Sequence, residues 1–153
     1  MHLQRYGALL VGAFFMCFFS VSSAQVGLPF DFETATVTSV FTDFDGGTAE
    51  VVDNPAPDAG NESAMVARIV RDGGLPWGGS LIELSEYLDF SEATSIQMKV
   101  WSPRQGVRIK LKLEGDADTE VDQWNTTQGG WETMHWNFVG QPAMIYNKLV
   151  FMF

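Results

Sequence analysis

Between Gln25 and Phe153 the chain holds five tryptophans, one histidine and no cysteine, and those residue types decide which chemistries it can support. Without cysteine that stretch has no disulfide, no thiolate nucleophile and no thiolate metal site. His135 stands alone, so zinc sites built on two or three histidines are excluded. A Ser-His-Asp triad would have to use His135, and no G-x-S-x-G elbow supplies its serine. The glycine pairs Gly46-Gly47, Gly73-Gly74, Gly78-Gly79 and Gly129-Gly130 fit neither a phosphate-cradling loop nor a dinucleotide fingerprint. Aromatic surfaces and carboxylates remain. Trp77 lies in Gly73-Gly74-Leu75-Pro76-Trp77-Gly78-Gly79, a loop too rich in glycine to bury much. An exposed indole presents a flat apolar face against which the C–H face of a pyranose can lie. Asp31 and Glu33 project the same way if 28–33 is a strand, and their hard oxygens suit Ca2+, although no EF-hand spacing is present.

The elements that would position these residues are strands. Ile96, Met98 and Val100 share one face of 95–101, and Gln97, Lys99 and Trp101 share the other. In 107–113, Val107, Ile109, Leu111 and Leu113 alternate with Arg108, Lys110 and Lys112. In 131–138, Met134, Trp136 and Phe138 point inward, which makes Trp136 a core residue, whereas Trp131 after its Gly-Gly turn packs a sheet edge. Further strands are expected at 28–33, 36–42, 47–53, 65–71, 80–84, 119–124 and 147–153, with Gly, Pro, Asn and Asp between them. No stretch keeps a helical period beyond a turn or two. The pattern predicts an all-β fold, a two-sheet antiparallel β-sandwich, with a barrel as the alternative. The apolar run Leu149-Val150-Phe151-Met152-Phe153 predicts a central strand, and a central strand at the chain's last residue predicts a domain truncated at its C-terminus.

Composition narrows the partners. Of 153 residues, nine are Lys or Arg and nineteen Asp or Glu, a formal net charge of -10, which argues against nucleic acid and against anionic membrane surfaces. Arg5, the apolar run Ala8 to Phe19 and the small residues Ser20 to Ala24 read as a secretory signal at 1–24, cut before Gln25. The run is too short to span a bilayer as a helix. A secreted (extracellular or periplasmic) domain at 25–153 follows.

Register sharpens the picture of the basic residues. If 95–101 and 107–113 form a hairpin, Trp101 pairs with Arg108, Lys99 with Lys110 and Gln97 with Lys112, and four basic residues crowd one face. In a simple meander 119–124 follows as the next neighbour, Lys112 facing Glu120 and Lys110 facing Asp122, which neutralises the face. In a jelly roll, 119–124 leaves for the other sheet and 131–138 is the neighbour, bringing Thr133, His135 and Asn137 and making a polar groove for sugar, neutral or acidic.

The order of several short motifs is informative. They are Leu28-Pro29-Phe30-Asp31-Phe32-Glu33, Phe44-Asp45-Gly46-Gly47, Asp53-Asn54-Pro55, Gly60-Asn61-Glu62-Ser63, Pro76-Trp77-Gly78-Gly79-Ser80, Leu88-Asp89-Phe90-Ser91, Lys99-Val100-Trp101-Ser102-Pro103, Trp131-Glu132-Thr133 and Asn137-Phe138. Together they resemble the jelly-roll carbohydrate-binding-like modules of secreted marine bacterial proteins, of the kind found beside family 16 glycoside hydrolase (laminarinase-like) domains. The resemblance implies a galactose-binding-like sandwich and one structural Ca2+ held by Asp31, Glu33 and an Asp beyond Phe153. It also implies a covalently linked hydrolase in the full-length protein. Glu120-Val121-Asp122 is similar to the start of the family 16 Glu-x-Asp-x-x-Glu pattern, but Asn125 stands at its third carboxylate position. Without that partner no acid/base pair forms. The chain is therefore expected to be no enzyme, any hydrolase activity lying in downstream sequence.

These readings converge on a non-catalytic module that binds polysaccharide through Trp77, Trp101, Lys99, Arg108, Lys110 and His135. The alternatives are an accessory domain of a glycoside hydrolase and a structural cell-surface module without sugar affinity.

Overall fold

The computed structural model describes residues 27–33 and 40–153. Among them are nine strands and no helix. They are β1 (Phe41–Phe44), β2 (Gly47–Asp53), β3 (Met65–Arg71), β4 (Gly79–Glu83), β5 (Ser95–Trp101), β6 (Arg108–Gly115), β7 (Thr119–Trp124), β8 (Trp131–Asn137) and β9 (Tyr146–Met152). One sheet has the order β1-β4-β9-β6-β7, and β2-β3 and β5-β8 form two separate two-stranded ladders. Every pairing is antiparallel.

The core lies between the five-stranded sheet and the β5-β8 ladder. Ile109, Leu111 and Leu113 of β6, Leu149 and Phe151 of β9 and Ile82 of β4 supply one side. Met134 and Trp136 of β8 supply the other, with Ile96, Met98 and Val100 of β5 packed against them. Trp136 is fully buried, and its Nε1 donates to the Ile109 carbonyl across the two layers at 3.1 Å, so the largest core side chain also satisfies its only polar atom. This is a β-sandwich arrangement in which alternation along each strand divides core from surface.

Strand β9 is central, as its composition predicts, between β4 and β6. Leu149 and Phe151 face the core, while Val150 and Met152 face the opposite side of the sheet and are also buried. There Val150 is flanked by Leu81 and Lys112, and Met152 by Gly79 and Lys110. The presence of β9 overturns the expected hairpin of 95–101 with 107–113. Both edges of β6 are taken, by β7 and β9, so β5 has no edge of β6 to pair with and crosses to the other layer. The register of β6 with β7 is that of the meander: Lys110 opposite Asp122 and Lys112 opposite Glu120, with Arg108 opposite Trp124.

Residues 28–33 are not a strand. Phe32 has φ 63°, which breaks an extended run, and the segment is held instead by edge contact of Phe30 on Phe32 and stacking of Phe32 on Phe41. The expected signal at 1–24 and the start of the expected strand 36–42, up to residue 39, lie outside the described residues. No helix among the described residues is long and apolar enough to cross a membrane.

Candidate functional site

The β5-β8 ladder turns one face to the core and one to solvent. On the outer face the register places Ser95 beside Asn137, Gln97 beside His135, Lys99 beside Thr133 and Trp101 beside Trp131. Same-face residues lie about 7 Å apart along a strand and about 5 Å apart across a pair. Four such rows make a stripe about 20 Å long. Gln97, Lys99, Thr133 and His135 are exposed, and the two tryptophans are half-buried. The stripe thus ends in an aromatic pair and continues as a row of hydrogen-bonding groups.

The aromatic end is built by two loops. Trp131 Nε1 donates to the Ala56 carbonyl at 2.8 Å, which seats the ring against the loop at 54–61. That loop is ordered by Asn54 and Asn61. Asn54 Nδ2 donates to the carbonyls of Asn61 and Ser63, and Asp58 Oδ1 accepts from the Gly60 and Asn61 amides. The second loop, 125–130, is tied down by Asn125 and Glu132. Asn125 is buried; its Oδ1 accepts from Val107 N at 2.7 Å, and its Nδ2 donates to the carbonyls of Arg104 and Thr127, each at 2.7 Å. Glu132 accepts from the amides of Thr126 and Thr127 and from the Thr126 hydroxyl. Burial pushes the Glu132 carboxyl up, but these bonds together outweigh it and hold the group below the ordinary glutamate value. Asn125, at the position where a third carboxylate would complete the Glu-x-Asp-x-x-Glu pattern, is therefore a loop-ordering residue.

Trp101 departs from the expectation of an exposed ring. It is half-buried, and its Nε1 is closed off from solvent with no acceptor. Trp77 does stand out, 55% exposed, and its Nε1 donates to Asp45 Oδ2 at 2.8 Å. Its loop is held by close backbone packing: a methyl group on Gly74 or Gly78 would overlap the Asp45 carbonyl oxygen. Trp77 and Leu75 are thus exposed apolar side chains of a loop bonded to Asp45 at the end of β1. Trp124, which no motif singles out, is 54% exposed on the edge strand β7. Its parity with Glu120 and Asp122 is the signal that could have found it.

The predicted basic residues separate into two groups. Lys99 and His135 join Trp101 on the ladder. Arg108 and Lys110 lie on β6, on the outer face of the five-stranded sheet, so the four-cation face expected from the hairpin does not form. Lys110 pairs with Glu120 and, at 3.8 Å, with Asp122; Arg108 reaches Asp122 at 3.9 Å. Lys112 pairs with Glu114 at 2.6 Å and Asp118 at 2.9 Å, and these hydrogen bonds raise its pKa. Glu120 and Asp122 are thereby engaged as counter-ions.

Asp31 and Glu33 do not gather a metal site. Asp31 Oδ1 accepts the Glu33 amide and Glu33 Oε1 the Met65 amide, so each carboxylate already serves the backbone. Ca2+ takes about six to eight oxygens, and among the described residues no group of three or more His, Cys, Asp or Glu is placed to hold a metal. Comparison of the chain with protein-family models, with curated proteins and with solved structures finds no match.

Proposed function

We propose that the protein is a non-catalytic polysaccharide-binding module and that the outer face of the β5-β8 ladder is its binding surface. One observation carries this reading: the register that brings Trp101 and Trp131, Lys99 and Thr133, and Gln97 and His135 side by side. Sugars offer an apolar C–H face and a fringe of hydroxyls, and this stripe offers an aromatic end and a run of donors and acceptors on rigid strands. The layer changes of the chain favour a jelly-roll, galactose-binding-like subtype, since β1 to β2, β4 to β5 to β6, and β7 to β8 to β9 each pass from the five-stranded sheet to a ladder or back. A module of this kind in a secreted protein holds a linked hydrolase near dilute or insoluble glycan by raising effective concentration.

The test is retardation of the protein in gels containing soluble β-glucan, alginate or other polysaccharides, with Gln97→Ala, Thr133→Ala and His135→Ala beside wild type. All three side chains are exposed, so the variants should melt like wild type while retardation falls. Retardation of wild type by no glycan, or equal retardation of all four proteins, would refute the assignment of this face.

A further inference from the structure

The basic side chains that lack a partner lie together. Eight Lys and Arg residues are described, from Arg68 to Lys148. Arg68 pairs with Glu50, Arg108 with Asp122, Lys110 with Glu120 and Asp122, Lys112 with Glu114 and Asp118, and Lys148 with Glu83. Arg71 donates to the carbonyls of Leu75 and Phe153. Lys99 and Arg104 alone have neither an ion pair nor a side-chain hydrogen bond among the described residues. In a chain with nineteen acidic residues against nine basic ones, an unpaired cation is the exception.

Their positions are related. Lys99 is on the outer face of β5, one row from Trp101. Arg104 is three residues beyond Trp101, in a loop bonded to the 125–130 loop that leads into Trp131. Arg104 O accepts from Ser102 Oγ and Asn125 Nδ2, and Gly129 N donates to Ser102 O. Both cations therefore sit at the aromatic end of the ladder, where the orphan indole N–H of Trp101 also lies. Lys99 and Arg104 are donors with no acceptor of their own, and an oxyanion supplies acceptors for both. Asp58, in the loop against Trp131, and Glu132, next to Trp131 on β8, are the nearby opposing charges; Asp58 Oδ1 is committed to the Gly60 and Asn61 amides and the Glu132 carboxylate to the Thr126 and Thr127 amides and the Thr126 hydroxyl. More distant acids of the chain are screened beyond about 8 Å at physiological ionic strength.

Resting on the glycan reading above, we infer that the ladder face takes an anionic polysaccharide, with Lys99 and Arg104 holding its carboxylate or sulfate groups and Trp101 the adjoining sugar face. The full chain and its Lys99→Gln, Arg104→Gln and double variants would be titrated with a neutral β-glucan, a polyuronate (alginate) and dextran sulfate. Lys110→Gln, which removes the same charge from a paired site, is the control. We expect wild type to favour one or both polyanions, and each single substitution to weaken that binding about tenfold, the worth of one charged hydrogen bond. Lys110→Gln should leave it unchanged. Preference for alginate over dextran sulfate, or the reverse, assigns the anion as carboxylate or sulfate. Equal binding of neutral glycan by wild type and the double variant, without preference for either polyanion, overturns this inference and leaves the glycan reading standing. A loss in Lys110→Gln matching that in Lys99→Gln overturns it too, since bulk charge would then be the cause. Binding to none of the three probes removes both readings.

Discussion

Two surfaces of this sandwich carry the same residue types and end in different chemical states. On the outer face of β6 and β7, lysines, an arginine and a tryptophan alternate along the strands, and every cation has a carboxylate opposite or beside it. On the outer face of β5 and β8, a lysine and two tryptophans alternate in the same way, and the residues opposite are Thr133 and His135 rather than acids. The cross-strand partner accounts for the difference. A lysine facing a carboxylate is satisfied within the protein, and a lysine facing threonine keeps its hydrogen-bonding capacity for something else. Charge counted along a strand therefore says little about what a face can bind until its neighbour is known.

The largest effect separates tryptophans that hold the sandwich from those that present a surface. Trp136 is fully buried and bridges the layers through its bond to Ile109. Trp136→Ala should cost about 3–5 kcal/mol, enough to unfold a marginal domain, and it should abolish the cooperative melt. Trp77→Ala removes a half-exposed ring whose one polar bond goes to exposed Asp45, and its transition should stay within a few degrees of wild type. A Trp77 variant as unstable as the Trp136 variant would show that the glycine-rich loop is part of the core.

A middle-sized effect concerns the loop that feeds the ladder. Asn125→Ala takes the side-chain partner from the half-buried Val107 amide and Thr127 carbonyl, while Arg104 O keeps its bond from Ser102 Oγ; the loss should be about 1–3 kcal/mol in all, the scale of a stranded polar group. Glu132→Gln weakens the other tie, and its effect should depend on pH. The carboxyl is held below its ordinary value in the folded state, so its contribution is present above about pH 4.3 and is lost as pH falls through the lowered value. Melting curves of wild type and Glu132→Gln should differ at pH 7 and converge in acid. A constant gap across that range would mean that the charge does not hold the loop.

Much of the fold was legible because alternation is a local signal. Strands 47–53, 65–71, 95–101 and 119–124 have the expected bounds, and the β6–β7 register was one of the alternatives that simple alternation allowed. Legibility failed where pairing is not local. Nothing within 95–101 reveals that its partner lies some thirty residues on, because that choice is made by β9 occupying the edge of β6. The candidate face was legible to the same extent. Lys99, Trp101 and His135 carried outward parity and do meet on one face, whereas Arg108 and Lys110 had the same parity and are separated from them by a whole layer. Trp101 shows a further limit: parity places a ring on a face, but the loops around it decide how much of the ring solvent reaches. Arg104 carried no periodic signal at all; it stands out only once the partners of every other cation are known.

The smallest effect tests the contrast between the two faces directly. Lys110→Gln and Lys99→Gln delete the same charge from opposite layers. Lys110 is bonded to Glu120 and lies 3.8 Å from Asp122 Oδ1, an atom that is buried and has no hydrogen-bond partner. Removing it leaves Glu120 without its ion pair and Asp122 with only Arg108, at 3.9 Å. The loss should fall toward the upper end of the 0–1 kcal/mol range of surface ion pairs, a fall of a few degrees in the melting temperature. Lys99 faces Thr133 and water, so Lys99→Gln should leave the melt unmoved at low salt and in high salt alike. Adding salt should shrink the Lys110 effect, because screening weakens the pairs that the substitution removes. Equal shifts in the two variants would show that Lys99 has a partner in solution after all, and the distinction between a face neutralised from within and a face left open would collapse.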